Sequence, residues 1–284
     1  MKLRAASGER RATSITTSER NLRGTAGAAD AIVLDIEGTT TPIAFVYDVL
    51  FPYARRRLRT YLHDPKNRDA LAEPLRRLIE EAATDKERVP ELAAVRTFRS
   101  APSGGPEGQY DNAGQFSNAL DWAASRVEWL MDRDIKSPAL KRLQGQIWEE
   151  GYRAGELHGD VFPDVAPALA RWRVAGTPVS IYSSGSELAQ RLLFGTTVHG
   201  DLTPFISRFF DTSVGSKMSP DSYRRIATEL NCATTGMLFV SDVTTELDAA
   251  RAAGCQVRLC VRPGNRPQAP HSYEVITSFD EVAR

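Results

Sequence analysis

Residues 31–34, Ala-Ile-Val-Leu, form a short, wholly apolar run that stops at Asp35, with Glu37, Gly38, Thr39 and Thr40 close behind. Such a run, closed by Gly, reads as a strand buried on both faces of a parallel sheet. The pattern returns at 178–182, followed by Ser183-Ser184-Gly185-Ser186, and at 237–241, followed by Asp242. Further strands are expected at 257–261 and 274–277, and a short strand or turn at 205–210. Helical spacing fills the gaps: 165–174 ended by Gly176, 187–194, a helix opening at Ser219-Pro220 with Tyr223, Ile226, Ala227 and Leu230 on one face, and 244–253 closed by Gly254. Strands alternating with helices predict an α/β fold, a Rossmann-like parallel sheet with right-handed crossovers.

One block departs from this alternation. After a connector at 42–46, residues 47–157 carry only helical periodicity, with Leu50, Tyr53, Ala54, Leu58, Tyr61 and Leu62, then Leu71, Leu75, Leu78, Ile79 and Ala82. Breakers such as Ser103-Gly104-Gly105-Pro106 make 84–114 a loop. Helices are then expected at 117–133 and 138–154. The apolar stripes, with Trp122, Trp129 and Trp148, read as core packing. The simplest architecture is a sheet core with an inserted helical cap: core at 30–46 and 159–284, cap at 47–158. Residues 1–29 hold many Ser, Thr and Arg and no aromatic, too little apolar surface to offset the entropy of ordering, and are expected to be a disordered leader. They lack the apolar segment of a secretory signal.

Composition narrows the function classes. Formal net charge is zero, with 36 basic and 36 acidic residues, which argues against a general nucleic-acid binder. No apolar run approaches the length of a membrane span. The three cysteines, Cys232, Cys255 and Cys260, form no C-x-x-C pair and read as buried thiols in a reducing compartment. His63, His158, His199 and His271 are scattered and make no metal motif.

In a parallel sheet the carboxyl ends of the strands share one edge, where open α/β sheets bind ligands. That edge collects Asp35 and Glu37, Ser183 and Ser184, Asp242 and, from a loop before a helix, Lys217. Residues i and i+2 of a strand point to one side, so Asp35 and Glu37 are expected to address one site. The inventory suits phosphoryl transfer. Mg²⁺ takes one or two carboxylates plus phosphate oxygens, a carboxylate can form an aspartyl-phosphate, hydroxyls at a helix start can hold phosphate, and an ammonium group neutralises the transferring group. A nucleotide P-loop is excluded, because Phe210 stands where its first Gly should be.

The order of these groups, Asp-x-[Asp/Glu]-Gly-Thr at 35–39, Ser183 or Ser184, Lys217, then Asp242 with Glu246 four residues on, resembles the four motifs of the haloacid dehalogenase superfamily. Within it, residues 35–46, Phe51-Pro52-Tyr53, Leu143-Gln144-Gly145, 182–186, 193–195, 261–265 and 276–279 resemble the enolase-phosphatase (acireductone synthase) family of methionine salvage. The resemblance runs from about residue 30 to the end and is looser over 84–114. It implies a Mg²⁺-dependent, monomeric, cytoplasmic enzyme that enolises and dephosphorylates a phosphorylated diketone, 2,3-diketo-5-methylthiopentyl-1-phosphate, to 1,2-dihydroxy-3-keto-5-methylthiopentene. It implies Asp35 as nucleophile and metal ligand and Asp242 as metal ligand. Glu37 becomes a metal contact and a proton-transfer group, with Lys217 a second candidate for the enolisation proton. Ser183, Ser184 and Lys217 become phosphate contacts. The alternatives are a capped phosphatase for another small ester and a non-catalytic binding module.

Overall fold

The computed structural model describes residues 29–84, 112–135 and 137–282. The expected leader, up to residue 28, and most of the expected loop at 84–114 lie outside these residues.

Six parallel strands form one sheet: β1 (Ala31–Leu34), β2 (Val179–Tyr182), β3 (Arg208–Phe210), β4 (Met237–Ser241), β5 (Gln256–Cys260) and β6 (Val275–Ile276), in the order β3-β2-β1-β4-β5-β6. The described residues also form eight α-helices: α1 (Phe51–His63), α2 (Arg68–Thr84), α3 (Asn112–Asp132), α4 (Pro138–Arg153), α5 (Val165–Ala175), α6 (Glu187–Gly195), α7 (Pro220–Glu229) and α8 (Thr244–Ala252). β1 is central, paired to β2 on one side and β4 on the other. The order reverses there, between β2 and β4, and a doubly wound sheet opens its ligand crevice at such a switch.

Strand alternation sorts the side chains into two cores. Ile32, Leu34, Val179, Ile181, Leu238 and Val240 enter one buried cluster, while Val33, Tyr182, Met237, Phe239, Tyr223, Ile226 and Leu247 enter the other. The first cluster continues through Ile36, Phe45, Val46 and Leu50 into α1–α4. The helical segment is thus packed into the sheet's own core. Full burial of a leucine such as Leu34 contributes about 2 kcal/mol.

The helical block begins earlier than its sequence pattern. Residues 42–46 are not a plain connector: the chain is helical from Ile43 and passes through a wide π-type turn at Phe45–Leu50 before α1. Likewise α3 starts at Asn112, five residues before its first clear apolar stripe. No strand occurs between β1 and β2 among the described residues. α1 packs on α3 and α4, α2 on α4, and α4 on α6 of the sheet unit. The three cysteines are free, and Cys255 and Cys260 are buried. No helix among the described residues is long and apolar enough to cross a membrane.

Candidate active site at the carboxyl edge of the sheet

β1 ends at Leu34, so Asp35 begins the loop beyond it. The Asp35 amide donates to Val240 O (3.0 Å), which extends the β1–β4 ladder by one bond. The chain then coils: the amides of Thr39, Thr40 and Thr41 all point at Ile36 O, at 3.1, 2.9 and 2.9 Å. Gly38 makes the coil possible with φ +71°, and a Cβ there would fall 2.4 Å from Asp242 Oδ2. Strand alternation therefore does not extend to Glu37. Asp35 is buried, whereas Glu37 is exposed on the wall of the cleft described below.

Lys217 reaches the same spot from the loop after β3. Its backbone is held by Tyr223, whose hydroxyl donates to Lys217 O (2.7 Å), and the loop is also held by Tyr182, which donates to Gly215 O (2.9 Å). The ammonium Nζ lies 2.5 Å from Asp35 Oδ1 and 2.6 Å from Glu246 Oε2, with both contacts buried. Burial alone would lower the lysine's pKa, but the charges of Asp35 and Glu246 and their hydrogen bonds raise it. Lys217 is therefore held as a cation. Glu246 is fixed in turn by Ser241 Oγ, which donates to Oε2 (3.0 Å). Its own carboxyl is pushed up by burial and by the nearby Asp35 charge, which together outweigh one shared ammonium.

Asp242 completes the edge at the end of β4. Burial, then the charges of Asp35 and Glu246, push its carboxyl up to about 7. Two buried acids, Asp35 and Asp242, and the half-buried Glu246 face one lysine, so the site is short of positive charge. Asn265 adds a neutral oxygen: its Nδ2 donates to Gly38 O (2.9 Å), which leaves the buried Oδ1 without a partner beside Gly38. Among the described residues no three acid, histidine or cysteine side chains converge closely enough to form a metal cage. Mg²⁺ needs no such cage, because it keeps several waters and takes one or two carboxylates. Hard oxygen donors with an unmet demand for positive charge fit that ion.

Ser183 and Ser184 follow β2 and are not equivalent. Ser183 is buried; its amide donates to Phe210 O (3.1 Å) and its Oγ accepts from Gly185 N (3.2 Å), so it shapes the turn. Ser184 is exposed. Gln190 on α6 anchors the turn, donating from Nε2 to Gly185 O (2.8 Å) and Phe210 O (2.9 Å). Beside the turn opens a cleft of about 950 Å³ between the sheet edge and α1, α3 and α4. Glu37, Ser183 and Ser184 line it together with an apolar wall that includes Val46, Leu50, Phe51, Met131 and Trp148. Trp148 is more than core packing: it faces this cleft, stacks on Phe51 at 6.1 Å and donates Nε1 to Leu50 O (2.8 Å).

Similarity to known proteins gives the family. The haloacid dehalogenase-like hydrolase family model matches residues 29–254. The enolase-phosphatase E1 of Synechococcus elongatus is 44% identical over 255 residues, covering 88% of this chain and 96% of that protein. The chain belongs to the enolase-phosphatase family of the haloacid dehalogenase-like hydrolases. The Drosophila melanogaster enolase-phosphatase E1 is 39% identical, with 88% of this chain and 91% of that protein covered. Among solved structures, the UTR4 protein of Saccharomyces cerevisiae superposes with a TM-score of 0.61 at 30% identity, covering 89% of this chain and 99% of that one.

Two parts of this enolase-phosphatase fold's site have no role legible in the hydrophobic and polar pattern, although Arg262 and Asn265 fall within 261–265, a stretch that carries the family resemblance. Arg262 and Asp164, 98 positions apart, form a partly buried pair at 2.8 Å, and Arg262 Nε also donates to Thr39 O (3.2 Å) of the loop after Asp35. Asn265 and Gln190 are polar side chains whose value lies in backbone carbonyls far away in sequence. Gln190 is marked only by the fold, whereas for Asn265 the 261–265 resemblance is the one sequence signal that could have found it.

Proposed function

We propose that the chain is a bifunctional enolase-phosphatase of methionine salvage, converting 2,3-diketo-5-methylthiopentyl-1-phosphate to 1,2-dihydroxy-3-keto-5-methylthiopentene and phosphate. The observation that carries this reading is the Asp35–Lys217–Glu246 cluster, buried at the sheet edge beside a largely apolar cleft. The apolar wall suits a methylthio tail better than the hydroxylated body of a sugar phosphate, and α1–α4 act as the cap that supplies it.

Ser184, with the backbone donors of the turn that Ser183 shapes, holds the phosphate. Asp35 attacks phosphorus, forming an acyl phosphate as the bond to the departing substrate oxygen breaks, and water then hydrolyses it. Lys217 orients the Asp35 carboxylate and offsets charge on the transferring group. Asp35, Asp242 and position 37 would hold Mg²⁺, which would offset the repulsion between the anionic nucleophile and the anionic substrate. For the enolisation proton, support falls on Glu37 rather than Lys217. Glu37 faces the cleft, while Lys217 is held protonated between two carboxylates. Under the same proposal the enzyme is a cytoplasmic monomer with no nucleic-acid or membrane partner.

The test compares kcat/KM for the diketo phosphate with that for a generic ester such as phosphoglycolate, both with Mg²⁺. A clear preference for the diketo phosphate supports the reading. Equal turnover of both would favour a capped phosphatase for another ester, and turnover of neither a binding module.

A further inference from the structure

The phosphate-bearing substrate carries negative charge into a cleft whose cations are mostly already engaged. Three basic side chains line it among the described residues: Arg55, Lys141 and Arg142. Arg55 is paired with Asp132 at 2.7 Å and Arg142 with Glu73 at 3.2 Å. Lys217 is shared by Asp35 and Glu246. Lys141 has no carboxylate partner among the described residues. It projects from the first turns of α4, and its Nζ lies 3.4 Å from Ser184 O, directly over the serine turn. A carbonyl oxygen at that distance is a weak partner for an ammonium group. A phosphate oxygen is a stronger one, because both members of the pair are then charged. The side chain is exposed, so it can move from one acceptor to the other without disturbing the core.

We propose that Lys141 is a phosphate-binding residue contributed by the helical insertion, exchanging the Ser184 carbonyl for a phosphate oxygen when substrate enters. The proposal rests on the reading of the cleft as the site of a phosphorylated substrate. Lys141 thereby ties the two halves of the cleft together only when an anion is present. The apolar wall and the serine turn are then read by one molecule, tail and phosphate at once. Because the contact is made to a group that stays anionic throughout, it strengthens binding of substrate and transition state alike, and its loss falls on KM rather than kcat.

The experiment measures KM for the diketo phosphate, and separately the affinity for inorganic phosphate by calorimetry with Mg²⁺, in the parent protein, Lys141→Gln, Lys141→Arg and Arg142→Gln. Lys141→Gln is expected to raise KM and weaken phosphate binding by about tenfold, the order of one charge-assisted hydrogen bond. Lys141→Arg should recover most of the loss. Arg142→Gln removes the same charge one residue away and should leave both values near those of the parent. Equal KM and equal phosphate affinity in Lys141→Gln and the parent overturn the proposal, as does an equal loss in Arg142→Gln, which would mark a general field effect. If the parent fails to turn over the diketo phosphate, the reading of the substrate fails, while the phosphate titration still decides whether Lys141 binds the anion.

Discussion

Lys217 Nζ stands 2.5 Å from Asp35 Oδ1 across 182 positions of sequence, and both side chains are buried. A charge pair in that setting aims the carboxylate. Among the described residues the other Asp35 oxygen, Oδ2, has only a long 3.5 Å hydrogen-bond contact, from Ser241 Oγ. The pair therefore leaves one face of the carboxylate for chemistry.

Replacing Asp35 with Asn is expected to lower phosphate release by on the order of a thousandfold or more while the fold is kept, because Glu246 still pairs with Lys217. Phosphate release and circular dichroism on the same sample check both halves. Undiminished turnover would remove Asp35 as the nucleophile.

Glu37→Gln should slow enol formation more than phosphate release from a pre-formed phosphate ester. The side chain faces the cleft and has no place in the Asp35–Lys217 pair. Turnover of the diketo phosphate and of a generic ester, measured side by side, shows whether the loss is confined to the first.

Removal of Mg²⁺ with EDTA should stop activity, and its return should restore it. Added Mg²⁺ should also raise the melting temperature, because a cation beside Asp242 offsets what pushes its carboxyl up to about 7, burial first and then the charges of Asp35 and Glu246. Gly38→Ala should suppress that rise. Its Cβ would meet Asp242 Oδ2, and its left-handed backbone adds about 1 kcal/mol of strain or more. An undiminished Mg²⁺ shift in Gly38→Ala would contradict the role of Asp242.

Asp164 pairs with Arg262 against the loop after Asp35, and its carboxyl sits below the usual aspartate value. Burial raises it, but hydrogen bonds from Arg262 and the Phe279 amide, with the Arg262 charge, more than offset that. A depressed carboxylate contributes stability that is present above its unfolded value of about 4 and lost as pH falls through the folded value. Asp164→Ala leaves the Arg262 charge buried without its partner and should cost about 3 kcal/mol near neutral pH. Denaturant titrations at pH 7 and pH 3 should show that cost shrinking at the lower pH. A cost independent of pH would mean that the pair's charge does not matter.

Much of this arrangement could be seen in the chain itself. β1 and β4 are legible because a strand buried on both faces must be apolar throughout, and the acid that ends it is the one polar group the sheet edge can use. Lys217 is legible only through its place between those two strands; alone it is one lysine among many. Glu37 shows the limit of the pattern. Its spacing from Asp35 predicts a shared face, but the strand stops at Leu34 and the coil around Ile36 O sends the two acids to different surroundings. Arg262 with Asp164, and Asn265 with Gly38, depend on the chain's return to β1 after more than 95 residues, which no local period encodes.

On the proposed function, one edge of the sheet both enolises and dephosphorylates the diketo phosphate. This is tested most directly by following enol absorbance and inorganic phosphate separately in one reaction with Mg²⁺. Both signals are expected to rise in equal amount, with the enol never lagging the phosphate, and both are expected to vanish with EDTA. Phosphate released with no enol formed, or enol formed with phosphate never released, would contradict that function.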